Sequence, residues 1–183
     1  MCHILLTGFK GCGKSTIGNV MAEMLEYGFV DLDSMLEDIY KRENGQRLEF
    51  REIFHKIGAE AFRELELRAA IEVADMARLS SPMVIALGGG ALMREETREV
   101  LRPIGEVVYL HTSEDQIVQR VRRGGFPAYI KSDDPEKELI QTYRERDPIY
   151  RRYSDVIVEL DSQTPAEAAK MAAKLIQKKR EQT

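Results

Sequence analysis

The sequence is poor in the residues that staple small folds or hold metals. It has two cysteines (Cys2 and Cys12) and three scattered histidines (His3, His55, His111) in 183 residues. Two cysteines are too few for a disulfide framework, and the default compartment for such a chain is a reducing cytoplasm. The histidines show no metal-ligand spacing such as H-E-x-x-H. No apolar run approaches the roughly 20 residues of a membrane span. The opening Met-Cys-His-Ile-Leu-Leu-Thr-Gly does not read as a signal peptide. Basic charge is not in excess either: 27 Lys+Arg against 31 Asp+Glu leave a net charge of −4. That balance argues against nucleic acid as the main partner, and no basic track with interleaved aromatics appears. Repeats, Pro-rich linkers and low-complexity stretches are absent. What remains, 43% apolar and 32% charged, is the composition of a soluble globular chain, long enough to build a core without metal or disulfide.

Short apolar runs alternate with helical patterns. Ile4–Thr7, Phe29–Asp31, Met83–Leu87, Val107–Leu110 and Val156–Leu160 read as buried strands. Ser15–Leu25, Ser34–Lys41, Leu48–Leu79 (broken near Gly58), Arg94–Leu101 and Pro135–Tyr150 read as helices, with Pro148 expected to end or bend the last. Ser113-Glu114-Asp115 opens a further helix with a Ser cap, and Thr164-Pro165 opens the final one. Five buried strands separated by helices imply right-handed βαβ units. The expected class is α/β, a three-layer α/β/α fold with a five-stranded parallel sheet. Its active site should lie just beyond the strands' C-terminal ends. Residues 123–134, with two glycines, a proline and many charges, are the candidate mobile loop.

Gly8-Phe-Lys-Gly-Cys-Gly-Lys14-Ser15 fits G-x-x-x-x-G-K-[ST] between an expected strand and an expected helix. Glycines let successive N–H groups converge on a phosphate, and the helix N-terminus adds partial positive charge. Lys14 then reaches the β- and γ-phosphates of ATP, and Ser15 can ligate Mg²⁺. Gly11, Cys12, Gly13 and Thr16 complete the nucleotide-binding loop, with Cys12 read as a small loop residue. No guanine-specifying N-K-x-D occurs, and the size suits a small-molecule or nucleotide kinase. Asp31 and Asp33 fall on one side of the extended segment after the second strand. One can serve Mg²⁺ and the other the acceptor hydroxyl. The alternative for Asp33 is a helix N-cap, worth about 1 kcal/mol. For Arg63 it is a solvated charge on a helix rich in i,i+3 and i,i+4 pairs.

Together with Ile53-Phe54…Gly58-x-x-x-Phe62-Arg63-x-x-Glu66, Leu87-Gly-Gly-Gly90 and Arg146-x-Pro-x-Tyr150, these pieces resemble the shikimate kinases along nearly the whole chain. The resemblance implies a P-loop kinase fold with a helical substrate-binding region (33–63) and a lid (122–135) within one domain spanning 1–183. It implies ATP-dependent phosphorylation of the 3-hydroxyl of shikimate by a cytoplasmic enzyme, expected to be a monomer without membrane or nucleic-acid partners. By position, Asp33 would orient or deprotonate the hydroxyl, and Arg63 and Arg146 would clamp the substrate carboxylate. Gly88, Gly89 and Gly90 would let main-chain N–H groups approach the substrate, and Phe54 and Phe62 would wall the pocket or pack in the core. Arg120 and Pro165 would flank adenine. The family's lid carries an R-P-L-L-like segment, but here Phe126 stands at the arginine position. Arg122, Arg123 or Lys131 could supply the charge from shifted positions. Otherwise the acceptor could be another small anionic hydroxy-acid such as gluconate, or the chain a catalytically impaired ATP-binding relative. Lys10 is a second departure, near the pocket mouth.

Overall fold

The computed structural model describes residues 3–130 and 132–182. The strands are β1 (His3–Thr7), β2 (Gly28–Asp31), β3 (Met83–Ala86), β4 (Gly105–Thr112) and β5 (Val156–Leu160). All pair in parallel, in the order β2-β3-β1-β4-β5. β1 and β3 are buried at every position, as expected for strands covered on both faces. β5 lies at an edge and alternates, with Val156, Val158 and Leu160 inside and Glu159 outside. The helices are α1 (Lys14–Leu25), α2 (Leu32–Asn44), α3 (Phe50–Leu79), α4 (Glu95–Leu101), α5 (Glu114–Gly124), α6 (Pro135–Tyr153) and α7 (Pro165–Arg180). Among the described residues no helix is long and apolar enough to cross a membrane.

After β1 the chain turns to one side of it for β2 and β3, then crosses to the other side for β4. This reversal opens a crevice at the C-terminal end of β1, where open α/β sheets bind ligands. The loop from β1 to α1, the β2–α2 junction and the turn after β3 all meet there.

Three local expectations are corrected. Ser113 makes no side-chain cap, and the first turn of α5 instead carries Glu114 and Asp115, whose charges suit the helix dipole. Of the two outcomes expected at Pro148, ending the helix is the one that does not occur: the residue sits inside α6, which runs on to Tyr153. Buried Tyr143 and Tyr150 on either side hold the helix and offset the cost of the proline, about 3 kcal/mol. Arg123 and Gly124 belong to the last turn of α5, so the irregular stretch is shorter than the sequence suggests. The break in α3 falls where expected, at Gly58, whose φ of 81° and ψ of 171° only glycine adopts readily.

Candidate active site

The phosphate loop is held open from within. Gly13 enters α1 at φ 99°, no side chain caps the helix, and its first turn carries no acidic residue. The positive end of the dipole is therefore uncompensated. Lys14 Nζ donates to the carbonyls of Gly8 at 3.0 Å and Phe9 at 3.2 Å, so the ammonium is parked across the loop. Gly11, Gly13, Ser15 and Thr16 face the crevice. Cys12 does not: it is buried, its N–H bonds the Phe9 carbonyl, and its sulfur packs beneath the loop near Gly8.

The two carboxylates divide their work differently from the cap alternative. Asp31, not Asp33, caps α2: its Oδ1 accepts the Asp33 N–H at 2.9 Å. Its Oδ2 accepts the Ser15 hydroxyl at 2.5 Å. Asp33 stands one residue inside the helix, and among the described residues its own carboxylate accepts no hydrogen bond. Burial, with the Asp31 charge adding to it, pushes the Asp33 carboxyl from 3.8 up to about 6, against the pull of Lys14. A half-buried carboxylate so poised can take a proton from a hydroxyl near neutral pH.

Asp33 faces a cavity of about 310 Å³, also lined by Lys14, Arg63, Glu66 and Arg146. Arg63 pairs with Glu66 one turn along α3. Glu66 is 5% exposed, and burial holds its carboxyl above the ordinary range although Arg63 opposes this. Across the cavity, Arg146 of α6 donates to the Gly89 carbonyl at 3.3 Å and lies 4.5 Å from the Tyr129 ring centroid. Tyr150 also donates to Gly89, at 2.5 Å. Phe54 and Phe62 satisfy both readings, being buried edge-to-face at 5.3 Å and lining the cavity.

The glycines after β3 act chiefly by leaving volume. A Cβ on Gly88 would stand 2.6 Å from Asp33 Oδ1, and one on Gly90 would collide with the Arg63 guanidinium. Their N–H groups take part in no hydrogen bond among the described residues, so they remain available to a ligand.

The irregular stretch after α5 brings Pro127, Ala128 and Tyr129 to the cavity, and none of the three carries charge. Phe126 packs on the core. Arg122 is tied outward to Glu136 at 2.5 and 2.9 Å, and Arg123 is exposed. Lys131 lies outside the described residues. Lys10 does line the cavity. On α5, Arg120 Nη1 donates to the Gly11 carbonyl of the phosphate loop at 3.1 Å. Pro165 is exposed at the first position of α7, behind a Thr164–Glu167 capping box, and does not line the cavity.

Sequence reasoning passed over Glu66 and Tyr129 as site residues. Glu66 carried a signal, an acid set among the buried Phe62, Leu65, Ala69 and Ala70 of one helix face. Tyr129 carried none, since its place depends on how the stretch after α5 meets Arg146 of α6.

Comparisons with known proteins find relatives along nearly the whole chain. A family model described as shikimate kinase matches residues 10–178. A shikimate kinase of Pseudomonas savastanoi pv. phaseolicola is 38% identical over 165 residues, covering 90% of each chain. Among solved structures, shikimate kinase from Acinetobacter baumannii in complex with shikimate superposes with a TM-score of 0.84 at 30% identity, covering 97% of this chain and 94% of that one. A gluconokinase from Sinorhizobium meliloti reaches a TM-score of 0.61 at 25% identity, covering 98% of this chain and 94% of that one.

Proposed function

The chain belongs to the shikimate kinase family, and from that premise we propose how its residues carry out ATP-dependent phosphorylation of a shikimate hydroxyl, the one at position 3. The observation that carries the reading is the free carboxylate of Asp33, which shares one cavity with Lys14, Arg63 and Arg146 while Asp31 does the capping. Lys14 leaves the Gly8 and Phe9 carbonyls for the β- and γ-phosphates, which the N–H groups from Gly11 to Thr16 cradle. Arg120 and Pro165 flank the adenine. Arg63 and Arg146 grip the acceptor carboxylate, where paired guanidinium forks suit a planar anion. The N–H groups of Gly88–Gly90 approach the acceptor hydroxyls, and Asp33 accepts the proton of the attacking one.

Ser15 and Asp31 present hard oxygen donors side by side at the loop, which fits Mg²⁺ shared with phosphate oxygens. When bound, that ion neutralises charge on the β- and γ-phosphates. Closure of the lid (122–135) over the substrate-binding region (33–63) excludes water, so the phosphoryl group reaches the acceptor and not solvent. This reading treats residues 1–183 as one domain, acting as a cytoplasmic monomer on a small anionic substrate without membrane or nucleic-acid partners. A coupled ADP-release assay with shikimate, ATP and Mg²⁺ tests it. ATP binding without shikimate-dependent ADP release would refute it, and turnover of gluconate in place of shikimate would move the chain to another acceptor.

A further inference from the structure

Four cations line the cavity among the described residues: Lys10, Lys14, Arg63 and Arg146. Three are accounted for. Lys14 belongs to the phosphate loop, Arg63 is paired with Glu66, and Arg146 is stacked on Tyr129. Lys10 has no carboxylate partner among the described residues. Its ammonium rests 4.9 Å from the centroid of the Phe50 ring, and no ion pair among the described residues includes it. Burial and the nearby Arg51 guanidinium push it below the ordinary lysine range, while the Asp33 charge opposes this. The Lys10 main chain lies beside Gly89, since a Cβ there would come within 3.6 Å of the Lys10 nitrogen. Lys10 thus stands on the Gly89 side of the phosphate loop and lines the same cavity as Asp33. Among the described residues, those that the stretch after α5 brings into the cavity, Pro127, Ala128 and Tyr129, carry no charge.

We propose that Lys10 is a further catalytic residue of this chain, its ammonium contacting the phosphoryl group as that group passes from the Lys14 side of the cavity to the acceptor oxygen beside Asp33. The inference rests on the kinase reading above. In the step, the bond from the γ-phosphorus to the ADP oxygen breaks and a bond to the acceptor oxygen forms. The hydroxyl proton goes to Asp33, and Lys10 stays protonated throughout. A desolvated cation aimed at developing phosphate charge acts in the transition state and on the phosphorylated product, and little on the neutral hydroxyl of the substrate.

The test compares wild type, Lys10→Met and Lys10→Arg in turnover and in calorimetric affinity for ATP, shikimate and shikimate 3-phosphate. Lys10→Met is expected to lower kcat about 100-fold and product affinity about 10-fold, with shikimate and ATP affinities within about threefold. Lys10→Arg should recover part of both losses. Retained ATP affinity shows that each variant has a folded phosphate loop. The proposal is overturned if Lys10→Met matches wild type in kcat and product affinity, or if its only defect is a raised shikimate KM. A wild type that neither turns over shikimate nor binds its 3-phosphate overturns the kinase reading and this one with it. A wild type that turns over beside an equally active Lys10→Met overturns this one alone.

Discussion

A Cβ on Gly88 would stand 2.6 Å from Asp33 Oδ1, so the glycine after β3 and the carboxylate on α2 fill one gap between them. Gly88 does not adopt positive φ, so volume and not backbone freedom makes the position small. The atom in the way is the end of a side chain, which can move without unfolding its surroundings. Gly88→Ala should therefore displace the Asp33 carboxylate and lower kcat about 10- to 100-fold, with little change in Tm. Steady-state kinetics and a thermal melt check this, and unaltered turnover would show that the carboxylate has no fixed place.

Asp33→Asn keeps the shape of the side chain and removes the base. Turnover should fall about 10²- to 10⁴-fold, while a fluorescent ATP analogue binds as in wild type, because Asp31 still caps α2 and still meets Ser15. If Asp33→Asn kept most of its activity, the free carboxylate would have another role.

Stability in the absence of nucleotide and metal should carry the mark of the same group. The Asp33 carboxyl sits near 6 in the folded chain against 3.8 for an ordinary aspartate. A raised value means that folding favours the protonated form. Its contribution is full below pH 4 and is lost as pH rises through 6, a change of about 1–3 kcal/mol. Asp33→Asn has no such loss, so it should be the more stable protein at pH 7.5 and the advantage should shrink at pH 5. Urea titrations of both proteins in EDTA measure it. A gap that ignores pH would contradict the assignment.

Arg63 serves two partners at once. Replacing it by alanine leaves Glu66 buried without its cation, which should cost about 1–3 kcal/mol. Arg63→Ala/Glu66→Gln should recover much of that stability but not the acceptor KM, expected to rise about 10-fold or more. Recovery of KM in the double variant would mean that Arg63 only neutralises Glu66.

The phosphate loop was legible because its signal is local. Glycine spacing, Lys14 and Ser15 lie within eight residues, and backbone conformation alone brings them together. The strand pattern was legible for a similar reason, since strands buried on both faces read as apolar runs. Capping was less so. Asp31 and Asp33 both suit a helix start, and only the path of the chain out of β2 decided which one capped it. The triple glycine announced a close approach without saying to what, because Asp33 and Arg63 arrive from elements 55 and 27 residues earlier. Pro148 and Ser113 show local preference yielding to packing and to dipole-compensating charge.

By itself, then, the sequence determined an alternating α/β chain with a phosphate-binding loop, two acids on one side of the second strand, and the resemblance that named its family. Only the tertiary structure decided which acid is free, which cations share its cavity, and that, among the described residues, the stretch after α5 brings no charge to it while Lys10 does. The physical reason is range. Periodicity and loop motifs act between neighbours, whereas the burial and field at Asp33 are set by side chains from the phosphate loop, the β2–α2 junction and α3, which meet only when the chain folds.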